Sequence, residues 1–188
     1  MIINIRGTHG SGKSWIVKQL LNRYEAIPES TDAKGKPLGY VMQTYAGSLY
    51  VVGPYENACG GCDTIQPYAD IWPRVVAYAT KGHVVFEGAL VSSSYGNIGR
   101  FSETYGNDFV FVFLDTPLQV CLDRIQERRR QRGDDRPVDP RNTEVKYLGV
   151  LKSIPKIRDE LNRRIVVLNY LNPLPQLLGV LYDSGRQF

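Results

Sequence analysis

The segment from Gly7 to Ser14, GTHGSGKS, constrains the fold of this 188-residue chain more than any other. It follows an apolar run at Ile2, Ile3 and Ile5, and it precedes a stretch with helical periodicity. Its spacing matches GxxxxGK(S/T), a glycine-rich turn between a strand and a helix whose backbone N–H groups surround phosphate oxygens. The pattern therefore predicts a strand, a phosphate-binding loop and a helix, which together open an α/β domain.

The residue types in this loop predict its ligands. Glycines allow positive φ and a close approach of the backbone to an anion. The Lys13 ammonium is expected to contact the β- and γ-phosphates of a nucleotide, and the Ser14 hydroxyl is expected to ligate a bridging Mg²⁺ ion. Trp15 is expected to pack under the loop. The residues predicted to bind the nucleotide are Gly7, His9, Gly10, Ser11, Gly12, Lys13, Ser14 and Trp15.

The composition fits one globular domain that covers residues 1 to 188. Hydrophobic residues make up 43% of the chain, and the net charge of +4 suits a phosphate-bearing ligand without implying a polymer. The longest apolar run, Phe109 to Leu114, is too short to span a bilayer, and the start of the chain does not resemble a signal peptide. We therefore expect a cytoplasmic protein without a membrane partner; its oligomeric state stays open.

The order of the predicted elements indicates a doubly wound α/β fold, with a mainly parallel sheet and helices on both faces. In such sheets, ligands bind at the carboxyl ends of the strands. After the first strand, strands are predicted at Leu38 to Thr44, Leu49 to Val52, His83 to Phe86, Phe109 to Leu114 and Ile165 to Leu168.

Turn and cap signals predict the segments between these strands. Ile27 to Pro37 and Ala89 to Arg100 are expected to be loops, because both are rich in small, polar and turn-forming residues. A helix capped by Thr116 is expected after the strand at Phe109 to Leu114. A further helix is expected to begin at Asp139 and to break near Pro155.

Two carboxylates are candidates for the chemistry. Glu87 ends a predicted strand, where we expect it to hold Mg²⁺ together with Ser14. Asp63 ends a turn-rich loop, where it is expected either to take the proton of a hydroxyl acceptor or to cap a helix. The same loop contains Cys59 and Cys62, whose CxxC spacing is that of half a zinc site or of a redox pair, and no second pair is present to complete a zinc site. A tight loop of small residues is the simpler interpretation.

The segment from Arg124 to Arg141 is rich in arginine. Such charge runs usually mark a solvated helix face. Arg128 and Arg132 are spaced to share one face of a helix. Beyond them, Arg141, Asn142 and Lys146 are expected to line a cleft.

The sequence resembles the small bacteriophage P-loop kinases in four segments: GTHGSGKS, FEG at Glu87, LDTPLQVCLDRIQERR and DPRNTEVK. Within that family, the ACGGCDTI segment is similar to kinases that phosphorylate the hydroxymethyl group of 5-hydroxymethyluracil in phage DNA. The resemblance implies an ATP- and Mg²⁺-dependent phosphotransferase with such DNA as its partner. It also implies a mobile lid at about residues 124 to 141, in which Arg128 and Arg132 close over the phosphoryl group and Arg124 stacks on the base. The implied catalytic residues are Lys13, Asp63, Arg128 and Arg132.

Two other functions stay open at this stage. A deoxynucleoside monophosphate kinase, similar to thymidylate kinase, would carry a DR(Y/F/H) segment after FEG, whereas this chain has Ala89 to Ser94 there. A monophosphate acceptor also needs arginine clamps rather than a base, and Asp63 suits a hydroxyl. The second alternative is a nucleotide-binding regulator without catalysis. A GTPase is disfavoured because no NKxD motif occurs.

Overall fold

A computed structural model of the chain describes residues 1–57, 60–93 and 95–183. The strands in these ranges are β1 (Ile2–Arg6), β2 (Ile27–Thr31), β3 (Pro37–Thr44), β4 (Gly47–Val52), β5 (His83–Glu87), β6 (Phe109–Leu114) and β7 (Arg164–Leu168). They form one sheet in the order β2-β3-β4-β5-β1-β6-β7. Strands β4, β5, β1, β6 and β7 pair in parallel, whereas β2 and β3 extend the sheet with antiparallel pairing.

Helices cover both faces of the sheet, as the doubly wound pattern predicts. The helices are α1 (Lys13–Arg23), α2 (Ile71–Ala79), α3 (Ala89–Ser93), α4 (Tyr95–Tyr105), α5 (Leu118–Arg130), α6 (Pro140–Asp159) and α7 (Pro173–Asp183). One face packs against α1 and α7, and the other packs against α2, α3, α4 and α6. Among the described helices, none combines the length and the apolar character needed to cross a membrane.

The middle of the sheet positions the phosphate-binding loop. Strand β1 lies between β5 and β6, and all of its residues are buried. In the parallel register Ile5 pairs with Glu87, and Arg6 pairs with Phe113. The carboxyl ends of β1 and β5 therefore meet at one edge, which places Glu87 beside the loop that follows β1.

Two segments predicted to be loops form regular structure. Residues Ile27–Thr31 form β2, an edge strand that pairs antiparallel with β3. Its residues are mostly exposed, so the strand lacks the alternation of apolar and polar residues that marks a strand in the sequence. The predicted loop after Glu87 instead contains α3 and most of α4. A contact from Asp63, in a distant segment of the chain, stabilises the start of α3.

The start of α5 and the end of α6 also differ from the prediction. No side chain caps α5, because the Thr116 hydroxyl donates to the carbonyl of Ser11 at 2.8 Å instead. Asp139 does cap α6, since its side chain accepts from the N–H of Arg141, but the helix continues through Pro155 to Asp159. Packing of Ser153 and Ile157 into the core on either side of Pro155 favours the continuous helix.

The course of α6 makes Pro155 a test of the fold. Proline inside a helix removes a backbone hydrogen bond and costs roughly 3 kcal/mol, part of which is offset by its stiffening of the unfolded chain. Pro155 is exposed, so Pro155→Ala should leave the core intact and raise the free energy of unfolding by about 1–2 kcal/mol. Urea unfolding measures this change. Lys152→Ala, at another exposed position of α6, is the control. No gain relative to that control would indicate that α6 ends before residue 155 in solution.

Candidate active site

The phosphate-binding loop is shaped by glycines in the left-handed region. Gly10 has φ +75° and Gly12 has φ +104°. A Cβ on Gly10 would lie 2.3 Å from the carbonyl oxygen of Cys121 in α5, so only glycine fits there. Gly12 precedes α1, and its carbonyl accepts from the N–H of Ile16. The loop thus ends at a helix N-terminus, which favours an anion.

Lys13 lies at the floor of the loop. Its Nζ donates to the carbonyls of Gly7 at 2.8 Å and Thr8 at 3.0 Å, and the residue is 6% exposed. Burial lowers the pKa of Lys13, and the nearby carboxylates Glu87 and Asp63 oppose that shift. The ammonium is therefore poorly hydrated, and an anion bound in the loop would stabilise its charge.

A cavity of about 310 Å³ opens above this floor and gathers most of the predicted site residues. It is lined by residues 9–15 of the loop together with Asp63, Glu87, Arg124 and Arg128. Arg132 is not among its lining residues. Helix α5 ends at Arg130, and Arg132 is exposed in the following turn, so helical spacing does not bring it to the face of Arg128.

A hydroxyl and a carboxylate meet at the edge of this cavity. The Ser14 hydroxyl donates to Glu87 Oε1 at 2.8 Å, and Glu87 is 1% exposed. Burial raises the pKa of Glu87, with Lys13 acting in the opposite direction. Two oxygen donors suit Mg²⁺, which takes few protein ligands and completes its shell with phosphate and water oxygens. The predicted pair is thus compatible with a Mg²⁺ ion.

The sequence did not reveal a third group in this cluster. The Tyr55 hydroxyl, which is buried, also donates to Glu87 Oε1, at 3.3 Å. The backbone approaches the same oxygen at Gly61, where a Cβ would lie only 2.5 Å from Oε1. Two hydroxyl groups therefore fix the orientation of the Glu87 carboxylate. The position of Tyr55 in a turn-rich loop gave no signal of this contact.

Asp63 lies near Glu87, in a short 3₁₀ helix at Gly61–Thr64 whose first residue contacts the Glu87 carboxylate. Its Oδ2 accepts from the N–H of Ala89 at 2.7 Å, and its Oδ1 accepts from the N–H of Leu90 at 3.0 Å. Asp63 therefore caps α3, a helix more than twenty residues further along the chain. The same carboxylate lines the cavity. The geometry is compatible with both predicted roles.

Arg6 holds the other end of α3. Its guanidinium donates to the carbonyl of Ser92, and it also lies 3.5 Å from the carbonyl of Val91. The side chain is completely buried, and burial lowers its pKa to about 10. Arg6 lies against the rings of Phe111 and Phe113, at 5.6 and 5.8 Å from their centroids. Helix α3 is thus attached to β1 as well as to Asp63.

Helix α6 contacts the phosphate-binding loop through two pairs. Lys146 Nζ lies 2.9 Å from His9 Nε2, and the hydroxyl of Thr8 donates to the carbonyl of Thr143 at 3.3 Å. An ammonium can only donate, so Nε2 is the acceptor and a neutral His9 carries its proton on Nδ1. Burial lowers the pKa of His9, and the charge of Lys146 adds to this shift. Lys146 thus contacts a loop residue that lines the cavity, but it is not itself among the lining residues.

A second cavity of about 450 Å³ adjoins the first and is more apolar in its lining. Arg124 lines both cavities, donates to the carbonyl of Ser11 at 3.3 Å, and lies 5.7 Å from the ring centroid of Tyr170. Leu171 lies beside that ring. Trp15 also lines both cavities and is 54% exposed, so the prediction that it packs under the loop is wrong. Its neighbours in α1 fill the core instead, which leaves Trp15 at the surface.

Only one cysteine of the CxxC pair falls within the described residues. Cys59 lies outside the described residues. Cys62 is a free, buried thiol, and burial raises its pKa well above the usual range. Within the described residues, no group of three or more His, Cys, Asp or Glu side chains is arranged to hold a metal ion.

Comparisons with known proteins find close relatives in phages. No family model matches the chain. A protein of Pseudomonas phage PaMx11 named "5-hmdU DNA kinase" is 38% identical over 160 residues, which cover 83% of this chain and 84% of that protein. A protein with the same name in Pseudomonas phage M6 is 30% identical, over 84% of this chain and 83% of that protein. Another in Delftia phage PhiW-14 is also 30% identical, over 84% of this chain and 64% of that protein.

The similarity to solved structures is weaker. A gluconokinase from Sinorhizobium meliloti 1021 superposes with a TM-score of 0.47 and 16% identity, over 97% of this chain and 90% of the other. This similarity is too distant to bear on function.

The positions of Arg128 and Arg132 lead to a testable difference. Arg128→Ala removes a cation from the wall of the cavity and should weaken ATP binding roughly tenfold, the scale of one charge-assisted hydrogen bond. Arg132→Ala, a matched change four residues away, should alter the dissociation constant by less than about twofold, since exposed charges contribute little. Isothermal titration calorimetry measures both. Equal losses of ATP affinity in the two variants would contradict the placement of Arg132 outside the cavity.

Proposed function

Because this chain belongs to the family of phage 5-hmdU DNA kinases, we propose that it transfers the γ-phosphoryl group of ATP to the hydroxymethyl oxygen of 5-hydroxymethyluracil in DNA. The chain is a P-loop kinase. The observation that carries the proposal is the meeting, in one cavity, of Lys13, the Ser14 and Glu87 pair, and the Asp63 carboxylate. The reaction would take place in the cytoplasm of an infected host, where phage DNA is found.

The donor nucleotide is proposed to extend across both cavities. Its phosphates lie in the loop, where the N–H groups at the start of α1 and the Lys13 ammonium stabilise their charge. Its base lies in the second cavity, against the Arg124 and Tyr170 pair and the apolar side chain of Leu171. Trp15 borders both cavities and is therefore placed along the sugar between them.

Ser14 and Glu87 are proposed to hold Mg²⁺. When bound, the ion supplies positive charge against the β- and γ-phosphate oxygens. Tyr55 and Ser14 both donate to Glu87 Oε1. These two hydrogen bonds orient the carboxylate, and neither of them involves Oε2. Such supporting hydrogen bonds to a ligand side chain commonly tune metal affinity. Tyr55 is thus a positioning residue for Glu87.

Asp63 is proposed to receive the proton of the acceptor. The hydroxymethyl oxygen attacks the γ-phosphorus while its proton passes to the Asp63 carboxylate, and the bond from the γ-phosphorus to the β–γ bridging oxygen breaks to release ADP. Lys13 and Arg128 neutralise the charge on the transferred group. The backbone N–H groups of Ala89 and Leu90 donate to the two Asp63 oxygens and hold them in place, and each oxygen keeps a further lone pair.

The same carboxylate argues against a nucleoside monophosphate as the acceptor. An anionic phosphate placed beside Asp63 would meet a like charge at short range, whereas a hydroxyl would not. The arginine-rich segment around the end of α5 instead offers cations to the phosphates of a strand. The members that lie outside the lining of both cavities and are not paired with a carboxylate of the described residues are Arg129, Arg130, Arg132 and Arg141.

An acceptor comparison tests the proposed function. The protein is incubated with ATP labelled in the γ-phosphate and with matched oligonucleotides that contain either 5-hydroxymethyluracil or thymine at one position, or with deoxynucleoside monophosphates. Label should enter only the hydroxymethylated DNA. The affinity for that DNA should also fall with salt, with a log–log slope of about −0.7 for each neutralised phosphate of a single strand. Efficient labelling of monophosphates and none of the DNA would favour the nucleotide kinase.

Asp63→Asn separates the two roles of this residue. If Asp63 is the base, turnover should fall roughly a hundredfold or more while the ATP dissociation constant stays nearly unchanged. If it only caps α3, the main effect should be a loss of roughly 1 kcal/mol in stability, because the Asn side chain has one oxygen and can accept only one of the two N–H groups. Thermal unfolding and steady-state kinetics, both measured well below the transition temperature, distinguish these cases. A variant that is less stable but turns over normally would rule out the base.

The proposed metal site predicts a role for the Tyr55 hydroxyl. Tyr55→Phe should raise the Mg²⁺ concentration that gives half-maximal ATP binding about three- to tenfold, the scale of one lost hydrogen bond. Glu87→Gln should raise it further. Tyr78→Phe is the control, because Tyr78 is also buried but its hydroxyl faces Ser30, away from the site. A change in Tyr55→Phe no larger than in this control would exclude the positioning role.

A further inference from the structure

We propose that the acceptor base leaves the DNA double helix and enters the phosphate cavity before it is phosphorylated. This inference rests on the proposed function, and it adds the form in which the polymer is bound. It follows from where the reacting groups lie in the protein and where the hydroxymethyl group lies in DNA.

The reacting groups of the protein lie below its surface. Lys13 is 6% exposed and Glu87 is 1% exposed, and the Lys13 ammonium is held down by two loop carbonyls. Arg124 and Arg128 of α5 line one side of the cavity, and the turn that carries Asp63 lines another. A hydroxyl must pass between these walls to reach the γ-phosphoryl group beside Lys13.

The hydroxymethyl group of a paired base is recessed as well. A substituent on C5 of a pyrimidine points into the major groove, which is roughly 12 Å wide and 8.5 Å deep. A one-carbon arm ends near the floor of that groove. When a groove and a cavity face each other, their rims meet before their floors do, so the hydroxyl of a stacked base remains outside the cavity.

An element of the protein that projects into the groove would avoid this conflict, as helices do in many DNA-binding proteins. The site is not built in that way. Lys13 is the first residue of α1, directly behind the glycine loop, and Asp63 lies in a four-residue 3₁₀ helix whose carboxylate is held against α3. Neither element extends beyond the cavity rim to carry the reacting groups outward.

The size of the cavity agrees with entry of a single base. Its volume of about 310 Å³ is at the lower end of the range for pockets that hold one small ligand. Since the phosphates of ATP are proposed to occupy part of that volume, the remainder leaves no room for a base pair. Enzymes that act on a base within DNA commonly turn it out of the stack, at a cost of a few kcal/mol.

That cost makes the inference testable, because it is smallest for a mismatched or single-stranded base. Four oligonucleotide substrates of one sequence are compared, each with one 5-hydroxymethyluracil. They are a single strand, a duplex with adenine opposite the modified base, a duplex with guanine opposite it, and an adenine-paired duplex with a G·T mismatch about six base pairs away. Initial rates are measured at subsaturating DNA and constant salt, since salt alone changes affinity.

We expect the single strand and the guanine-paired duplex to react at least tenfold faster than the adenine-paired duplex. The remote mismatch should give no acceleration, because it weakens the duplex without freeing the reacting base. The fluorescence of a 2-aminopurine placed opposite the modified base should also increase when the protein and a non-hydrolysable ATP analogue bind.

Three results would overturn the inference: equal rates for paired and mismatched substrates, acceleration by the remote mismatch, or unchanged 2-aminopurine fluorescence. In each of these cases the proposed function stands. Absence of labelling in all four substrates would instead contradict the proposed function itself.

Discussion

The contact between Gly10 and the backbone of Cys121 is the constraint on which the rest of the site depends. The loop can approach α5 this closely only because Gly10 has positive φ and no side chain. The approach brings α5 over the loop, so that Arg124 reaches the carbonyls of Gly10 and Ser11 and Arg128 reaches the cavity. Phosphate binding and the position of the arginine helix are therefore set by one backbone contact.

The proposed acceptor side of the cavity depends on contacts between distant segments. Asp63 caps the start of α3, and Arg6 donates to the carbonyls near its end. A five-residue helix has little stability of its own, because nucleation is costly. Its position is thus determined by β1 and by the turn that carries Asp63. The same turn brings Gly61 against Glu87, so the proposed acceptor and metal sides of the cavity share one support.

The sequence predicted those parts of the protein whose signals are local. The glycine spacing, the apolar run of β6 and the Asp139 cap of α6 each depend on a few neighbouring residues, and the structure agrees with them. Lys13, Ser14, Glu87 and Asp63 also meet as the order of strands suggested. Their chemical roles remain predictions.

Other parts depend on partners that lie far away in the chain. Thr116 has the spacing of a helix cap, but its hydroxyl is taken by the carbonyl of Ser11. The start of α3 looked like a loop because its cap, Asp63, precedes it by a whole strand and helix. Tyr55 gave no local signal for its contact with Glu87. Helical spacing predicts that Arg128 and Arg132 share a face, but α5 ends at Arg130, before Arg132.

The end of α5 also limits how the predicted lid can move. Gln126 accepts from the N–H of Val138 at 2.9 Å and donates to the carbonyl of Arg136 at 3.3 Å, so the turn after α5 folds back onto that helix. Arg129 adds a contact to the carbonyl of Pro137 at 3.3 Å.

Beyond this turn, α6 is fastened to the phosphate-binding loop by Lys146 and Thr143, just as α5 is fastened by Arg124. Both ends of the turn are thus anchored to the same loop. A movement of the loop on phosphate binding would be transmitted to both helices through these contacts. Within this segment, the short turn between α5 and α6 has the fewest contacts with the loop. This arrangement explains why a cation from within α5, Arg128, lines the cavity while Arg132, beyond the end of the helix, faces outward.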